Sequence, residues 1–248
     1  NGGGTMQNIT YGWRNINRRF YFIPKIDGGI IKDYNWDSYN VNDFVRGTDQ
    51  IPVNEATATP TTFSYALENS FNYIPGSSLV DQTTFLSIQG QFLPTQICRI
   101  KTGVTAPQGA TDFEFVNNPN GYGTFYVVRT DDGSSNYFIT GTDAEKYAEL
   151  CIAHAPDMPA LTGGYSLSDN TFTNGMCYFH VLVNSAASGQ YGPYGIYRNQ
   201  YYRMTLNSIQ APGNPNDFDH NQVISPNTWV DVNITVDEWQ EIDEDCDL

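Results

Sequence analysis

Aromatic and β-branched residues occur in short runs along the whole chain, and Gly, Pro or Asn residues interrupt most of these runs. The chain contains 17 Tyr and 14 Phe, together with 22 Gly and 13 Pro, among its 248 residues. Aromatic and β-branched side chains suit the pleated, half-buried surface of a sheet, whereas the interrupting residues favour turns. Charged residues, on which long surface helices depend, make up only 16%. The sequence therefore predicts an all-β chain with many loops that acts outside the cytoplasm.

The charge of the chain is strongly negative, with 27 Asp and Glu against 12 Lys and Arg and a formal net charge of −15. Nucleic acids and anionic membrane surfaces bind basic faces, so this balance argues against both as partners. Residues 1–60 carry equal numbers of acidic and basic side chains, and seven acids fall within residues 237–248. No apolar run approaches the roughly 20 residues of a membrane-spanning helix, so we expect no membrane span.

The C-terminal stretch alternates between two kinds of residue with the period of a β-strand. From Trp229 onward, the even positions are mainly apolar and most odd positions are acidic or polar. Because successive strand residues point to opposite faces, such a strand has one apolar and one acidic face. The stretch up to Val236 is typical of a half-buried strand, and the alternation resumes after Glu238. A solvated acidic tail, which is the alternative, has no physical reason to keep this register.

Apolar runs bounded by turn residues predict the remaining strands and turns. The expected turns are at 27–29 and 174–175, and the expected strands are at 12–23, 30–31, 63–69, 84–100, 176–183 and 201–209. The stretch 47–61 contains Pro52 and Pro60 and is typical of a linker, so it predicts a domain boundary near residue 60.

One segment departs from the β pattern. Thr142 and Glu145 have the spacing of a capping box, and Tyr147, Leu150 and Cys151 follow at helical spacing. We therefore predict one short helix over residues 143–154.

Residues that could carry chemistry occur without the spacing that chemistry requires. The sequence has no Cys-x-x-Cys, His-Glu-x-x-His, Gly-x-Ser-x-Gly or phosphate-loop motif. Its acidic residues form no recognisable catalytic pair, and His180 lies among aromatic residues inside a predicted strand, where a structural role is expected. We therefore expect no enzymatic activity, no cofactor and no bound metal.

The Cys and Tyr residues each leave two interpretations open. Cys98, Cys151 and Cys177 lie in apolar surroundings, either as buried thiols or with two of them paired. Cys246 lies in the C-terminal tail and is either an inward-facing apolar residue or a cross-link to another subunit. Five tyrosines crowd a Gly-rich stretch and either stack on sugar rings or pack in a sandwich core, namely Tyr191, Tyr194, Tyr197, Tyr201 and Tyr202.

Several segments of the chain, taken together, resemble sequence motifs of the fimbrillins, the type V pilin subunits. They comprise a Glu-Asn element, an Asn-Gly strand entry, an Arg-Asn-x-x-Tyr strand with its continuation, a Gly-x-Pro turn and a closing strand that ends in Trp. The segments are YALENSF (65–71), NGMCYFHV (174–181), GIYRNQYY (195–202), TLNSI (205–209), GNP (213–215) and VNITVDEW (232–239). Their order and spacing extend the resemblance over about residues 61–248.

The resemblance implies both a fold and a role. Fimbrillins have two β-sandwich domains, here expected to be Greek-key or transthyretin-like with one short helix. Residues 1–60 would be the C-terminal part of an N-terminal β-domain with its linker, and residues 61–248 the C-terminal sandwich with a donor-type tail. Family members are exported as lipoprotein precursors, and an arginine-specific protease removes their first strand. A C-terminal strand of the neighbouring subunit then fills the vacated groove.

By this resemblance the chain is expected to be a structural subunit of a cell-surface fimbrium attached to the outer membrane and supporting adhesion. Its expected partners are other copies of the subunit and anchor or tip subunits, with a host protein or glycan as a further partner. The alternative is a tip subunit that binds a glycan or a protein.

Strand exchange assigns a role to the alternating C-terminal stretch. A donated strand satisfies backbone groups of the acceptor while its alternate side chains fill pockets. The donor begins either after Trp239, where nine residues extend to about 30 Å, or upstream near Trp229. Glu244 lies on the inward face and fits this interpretation poorly. The expected donor residues are Val230, Val232, Ile234, Val236, Trp239, Ile242, Cys246 and Leu248.

Overall fold

The structure is a computed structural model, and strands dominate it. It describes residues 3–19, 23, 25–33, 36, 39–47, 51–52, 65–121, 123–183, 193–209, 211–217, 219, 221–224 and 230–238. The predicted domain boundary near residue 60 lies outside these residues.

Fourteen strands and one α-helix are present in the described part of the chain. The strands are β1 (Gly4–Asn17), β2 (Lys25–Asp27), β3 (Ile30–Lys32), β4 (Phe44–Gly47), β5 (Ile51–Pro52), β6 (Phe85–Pro94), β7 (Gln96–Ile100), β8 (Phe113–Asn117), β9 (Phe125–Arg129), β10 (Ser135–Phe138), β11 (Thr171–Phe172), β12 (Met176–Leu182), β13 (Gln200–Ile209) and β14 (Val230–Glu238). The helix, α1, spans Gly141–Ile152. The predicted all-β class with one short helix is confirmed.

The strands form several sheets, which is consistent with the expected sandwich architecture. The largest has the order β12-β6-β1-β4, with β5 also paired to β1, and a second has the order β10-β9-β11. The remaining sheets are the pairs β13-β14, β2-β3 and β7-β8. Antiparallel pairing connects β1 to β4, β2 to β3, β7 to β8, and β9 to both β10 and β11.

The chain divides into two compact units, each assembled from three separate stretches. Unit 1 contains Asn1–Tyr11, Ile88–Phe179 and Ile209–Phe218. Unit 2 contains Gly12–Ser87, His180–Ser208 and Asp219–Leu248.

Unit 1 has an apolar core between α1 and its strands. Ala144, Tyr147, Ala148 and Cys151 form the buried face of the helix. Of the three residues that were predicted at helical spacing, Tyr147 and Cys151 lie on this face, whereas Leu150 is half-buried and packs against the core. The buried face packs with buried residues from the surrounding strands and loops, which are Cys98, Phe113, Val128, Phe138 and Leu161. A second aromatic group in the same unit includes the stacked rings of Phe125 and Phe172, whose centroids are 4.9 Å apart.

The helix begins two residues earlier than its predicted start. Thr140, and not Thr142, is the N-cap, because its side chain accepts a hydrogen bond of 3.2 Å from the Asp143 amide. The helix ends at Ile152, and His154 has a φ of 51°, in the left-handed region that commonly follows a helix. The predicted end at residue 154 therefore overshoots by two residues.

Both predicted turns are confirmed. Asp27 pairs with Ile30 across the tight turn between β2 and β3, and Gly28 and Gly29 there have φ values of 60° and 80°. Two positive φ values in succession are the geometry that joins neighbouring strands in a two-residue hairpin, and glycine adopts them without strain. The second turn, at residues 174–175, leads directly into β12, which extends close to the predicted range.

The strand predicted over 63–69 is wrong for its described part. Residues 61–64 lie outside the described residues, and from 65 onward Asn69 forms only an isolated antiparallel bridge with Ile196. Glu68, Asn69 and Ser70 are consecutive, polar and buried. Their side chains bind other parts of unit 2 and do not alternate between a core and solvent, so no ladder continues beyond the bridge.

The prediction of one or two strands over 12–23 is only partly correct, because β1 begins at Gly4 and ends at Asn17, and the described residues 18, 19 and 23 are not in a strand. The early part of β1 lacks an apolar alternation because polar side chains pair across to β6. Gln7 and Asn8 donate hydrogen bonds of 3.2 and 2.8 Å to the Gln91 side chain. The 84–100 prediction is confirmed as β6 and β7, separated at Thr95, and the 201–209 prediction is confirmed as β13.

Candidate assembly site

The C-terminal strand is the first component of the expected assembly site. β14 spans Val230–Glu238 and pairs with β13 in unit 2. The strand predicted up to Val236 is thus confirmed, and it contains the first four expected donor positions, which are Val230, Val232, Ile234 and Val236. The other expected donor positions lie outside the described residues, namely Trp239, Ile242, Cys246 and Leu248.

A short bridge in unit 2 attaches the chain upstream of β14. Leu79 and Val223 face each other in an isolated antiparallel bridge. The Val80 amide donates to the Gln222 carbonyl at 2.8 Å, and the Ile224 amide donates to the Ser78 carbonyl at 2.9 Å. Ile224 is buried at 4% exposure. Two backbone hydrogen bonds and one buried aliphatic side chain therefore hold this segment.

A second attachment, in unit 1, holds residues 212–214. Asn214 and Tyr178 exchange two backbone hydrogen bonds, of 2.9 and 2.8 Å. The Arg129 guanidinium donates from one nitrogen to the carbonyls of Pro212 and Gly213, both at 2.9 Å. A Cβ at residue 213 would collide with the Tyr178 carbonyl oxygen, so only glycine permits this close approach.

Arg129 is a polar residue on a strand of otherwise apolar composition. Its guanidinium lies 5.8 Å from the centre of the Phe172 ring, a cation–π distance, and burial lowers the pKa of Arg129 below its ordinary value. A buried guanidinium requires acceptors, and the two carbonyls of the 212–214 segment supply them. The sequence signal, an Arg directly after the apolar run FYVV at 125–128, was present but was not recognised.

Two of the family-like motifs meet in unit 2. Arg198, from the Arg-Asn-x-x-Tyr strand, donates through Nε to a Glu68 carboxylate oxygen at 2.6 Å and through a second nitrogen to the other oxygen. The hydrogen bond to Glu68 is the main reason that the pKa of Arg198 is raised. Beside this ion pair, Asn69 and Ile196 exchange backbone hydrogen bonds of 2.8 and 2.9 Å. The motifs are thus parts of one structural contact.

Buried polar side chains continue from this contact through the interior of unit 2. Arg46 contacts the Asp81 carboxylate with both terminal nitrogens and donates to the Asn15 side chain at 3.0 Å. Asn15 in turn donates to the Thr83 carbonyl at 3.2 Å, and the Thr84 hydroxyl donates to the Asn15 carbonyl at 2.5 Å. Arg46 is half-buried and the other groups are buried, and each has a partner from a distant part of the sequence, which periodicity alone could not reveal.

The tyrosine-rich stretch supplies core residues at two of its positions. Tyr194 and Tyr197 are buried, and the Tyr194 ring packs edge-on against Tyr73 at 4.8 Å. Tyr202 is half-buried, and its hydroxyl accepts from the Tyr197 amide at 3.0 Å. Tyr191 lies outside the described residues. Stacking on a sugar requires an exposed ring face, so Tyr194 and Tyr197 do not form such a platform.

The described cysteines are free buried thiols. Cys98, Cys151 and Cys177 form no disulfide, which resolves the open alternative for these three, whereas Cys246 lies outside the described residues. Burial raises the pKa of Cys98 and Cys177 to about 12 and that of Cys151 to about 11. Such thiols are poor nucleophiles at neutral pH because the reactive thiolate is scarcely populated.

Other candidate chemistry receives no support within the described part of the chain. His180 packs edge-on against Phe85, with the ring centres 5.0 Å apart, in agreement with a structural role. No cluster of three or more His, Cys, Asp or Glu residues suited to a metal ion occurs among the residues that the structure describes. In the same residues, no helix has the length and apolar character needed to cross a membrane.

Comparison with known protein families finds a match in the C-terminal part of the chain. Residues 170–245 match the family model of the major fimbrial subunit protein type IV, fimbrillin, C-terminal. The resemblance to the fimbrillin family is therefore confirmed over a segment that runs from β11 into the acidic tail, and it supports a fimbrial-subunit role. The family is one of structural pilins and not of enzymes. None of the curated proteins compared with the chain matches it.

Proposed function

We propose that this protein is a structural subunit of a cell-surface fimbrium and that it polymerises by donating its C-terminal strand to a second copy of the chain. The observation that carries the proposal is the fimbrillin match over residues 170–245, which includes β14 and nearly all of the alternating tail. The proposed role is one of assembly and involves no catalytic step. Outer-membrane attachment, export and contact with anchor or tip subunits belong to the same proposal.

Physical chemistry favours the C-terminal stretch as the donor. An isolated strand carries unsatisfied backbone groups, and pairing with the open edge of another sheet satisfies them. In such a donated strand, the alternation gives the two faces different roles. The apolar positions Ile242, Cys246 and Leu248 fill pockets of the acceptor, while Asp243 and Asp245 remain in water. The acidic face also disfavours stacking of two donor strands against each other, because like charges directly opposite repel.

Deletion of residues 240–248 from the full-length protein tests the donor assignment. We expect the shortened chain to keep its circular dichroism spectrum and to remain monomeric, while fibres seen by electron microscopy disappear. The strands of the described units lie upstream of the deletion, so their pairing is retained. Fibres of normal yield and length from the shortened chain would refute the assignment.

Point substitutions provide a matched control for the deletion. Ile242→Asp combined with Leu248→Asp places charges on the inward face, and we expect this variant to lose most fibre formation because a buried unpaired charge is costly. Asp243→Asn combined with Asp245→Asn changes as many residues on the outward face, and we expect normal fibres. Equal effects of the two variants would contradict the proposed facing of the donor.

A further inference from the structure

Asparagine is followed directly by glycine at residues 1–2, 120–121 and 174–175, and the second and third of these pairs lie among the described residues. In such a pair the glycine has no Cβ to shield its backbone nitrogen or to restrict its rotation. That nitrogen can therefore approach the asparagine side chain wherever the fold leaves the pair free to rotate. Both described pairs belong to unit 1, so they can be compared within one compact unit.

The pair Asn120–Gly121 lies in the loop between β8 and β9, and both residues are exposed. Gly121 has a φ of 57°, and a Cβ at this position would have no heavy atom within 4 Å. The Asn118 side chain accepts from the Asn120 amide at 2.9 Å and donates to the Gly121 carbonyl at 3.3 Å. Neither the Asn120 side-chain amide nor the Gly121 nitrogen forms a hydrogen bond with any residue that the structure describes. The two groups that would react are thus unrestrained by these contacts.

The pair Asn174–Gly175 is held much more firmly, although Asn174 is also exposed. The Asn174 amide donates to the Thr124 hydroxyl at 3.0 Å, and the Asn174 carbonyl accepts from the Gln91 side chain at 3.1 Å. Gly175 is buried, and a Cβ there would lie 2.7 Å from the Phe92 carbonyl oxygen. The backbone of this glycine is therefore packed closely against β6.

The backbone angles of Asn174 also oppose contact between its side chain and the next nitrogen. Its φ is 53° and its ψ is 30°. At this ψ the Gly175 nitrogen lies nearly opposite the Asn174 Cβ across the Cα–C bond, because an L-residue has a fixed arrangement around Cα. Contact requires a rotation of more than a right angle about that bond. Such a rotation would separate Gly175 from Phe92, so it needs local opening of the fold.

We infer that Asn120 is a site of spontaneous deamidation and that the fold protects Asn174 from the same reaction. The Gly121 nitrogen gives up its proton and forms a bond to Cγ of Asn120, the Cγ–Nδ2 bond breaks, and the amide nitrogen leaves with that proton as ammonia. The cyclic imide that results then adds one water molecule. Opening at Cγ leaves aspartate, opening at the main-chain carbonyl leaves isoaspartate, and each opening yields a carboxylate and a proton. The inference does not depend on the proposed function.

Both products change the loop between β8 and β9. Each converts a neutral side chain into a negative charge at an exposed position. Isoaspartate also directs the main chain through Cβ, so it lengthens the backbone between residues 120 and 121. The Gly121 carbonyl then moves relative to the Asn118 side chain that donates to it in the unmodified chain.

Peptide mapping of the full-length protein tests the inference. Cleavage after Lys and Arg places Asn120 in the fragment 102–129 and Asn174 in the fragment 147–198. After incubation of the folded protein at mildly alkaline pH, we expect tandem mass spectrometry to find a carboxylate at residue 120 forming at least about tenfold faster than at residue 174, because only the second pair requires local opening. In urea the two rates should converge, since unfolding removes the contacts that distinguish the pairs.

Two results of this experiment would overturn the inference. One is an equal rate at residues 120 and 174 in the folded protein. The other is an unmodified Asn120 in the folded protein over a period in which the unfolded chain reacts. Reverse-phase separation of the fragment 102–129 also resolves the aspartate and isoaspartate forms, and the presence of both is the signature of the cyclic intermediate.

Asn120→Gln is the matched control, because a glutamine at this position would have to close a larger ring and reacts more slowly. The side chain of Asn120 is exposed, so we expect the variant to fold normally and its fragment 102–129 to remain unmodified. Asn117 and Asn118 lie in the same fragment, but the nitrogen that follows Asn118 belongs to Pro119 and carries no hydrogen. Modification of this fragment at the unchanged rate in the variant would assign the reaction to Asn117 and overturn the inference.

Discussion

The interiors of the two units differ in the kinds of side chain that they bury. Unit 1 packs apolar and aromatic residues such as Phe113, Phe138 and Tyr147 around one face of α1. Unit 2 also buries apolar residues, but polar side chains such as Asn15, Glu68 and Asn69 run through its interior. An apolar core depends on shape and volume, whereas a buried polar group depends on keeping its particular partner. The two units should therefore fail in different ways when single side chains are changed.

The largest expected effect tests the apolar side of this comparison. Phe138 is fully buried and packs against Tyr147 at 5.2 Å between ring centres. Phe138→Ala should lower the free energy of unfolding by about 3–5 kcal/mol, because it removes buried surface and leaves a cavity. Urea denaturation followed by tyrosine fluorescence measures the change.

The matched control for Phe138 is Phe115 on β8, which is 55% exposed. Phe115→Ala makes the same chemical change in the same unit, but its cost should stay below about 1 kcal/mol because little surface is removed from the core. A cost for Phe138→Ala no greater than that of its control would show that the unit 1 core does not depend on close packing.

The second prediction tests the polar side. Arg198→Met removes the guanidinium that pairs with Glu68, whose side chain is only 6% exposed. A buried carboxylate without its partner is strongly unfavourable, and because Arg198 itself is partly exposed we expect a loss of about 2–3 kcal/mol. Urea denaturation measures the loss, and the double variant Glu68→Gln, Arg198→Met should recover part of it because the charge is removed as well.

Arg99→Met is the matched control for the ion pair. Arg99 contacts Glu114 at 2.8 Å, but their side chains are 47% and 34% exposed. Exposed pairs contribute little, so the loss should stay below about 1 kcal/mol. If both Arg variants cost the same, the difference between the polar interior of unit 2 and an ordinary surface pair would not hold.

The same contrast explains what the sequence could reveal. Local patterns predicted the hairpin at 27–29, the buried helical face and the strand ending near Val236, because each depends on neighbouring residues. The Glu68–Arg198 contact joins residues 130 positions apart, and no local rule connects them. Motif resemblance pointed to both segments, but not to their meeting. The strands β8 to β10 were not predicted, because they are short and their apolar residues give only weak alternation.

The smallest expected effect concerns the helix start, where two local signals competed. Thr140 and Thr142 are each followed three residues later by a carboxylate, Asp143 or Glu145, so both have the spacing of a capping motif. The structure selects Thr140, whose hydroxyl accepts from the Asp143 amide. Thr140→Ala should cost about 1 kcal/mol, because an amide in the first turn loses its acceptor, whereas Thr142→Ala should be nearly neutral. The urea midpoints of the two variants decide which threonine caps the helix. A larger shift for Thr142→Ala than for Thr140→Ala would assign the cap to Thr142, and the helix would then begin later than the structure has it.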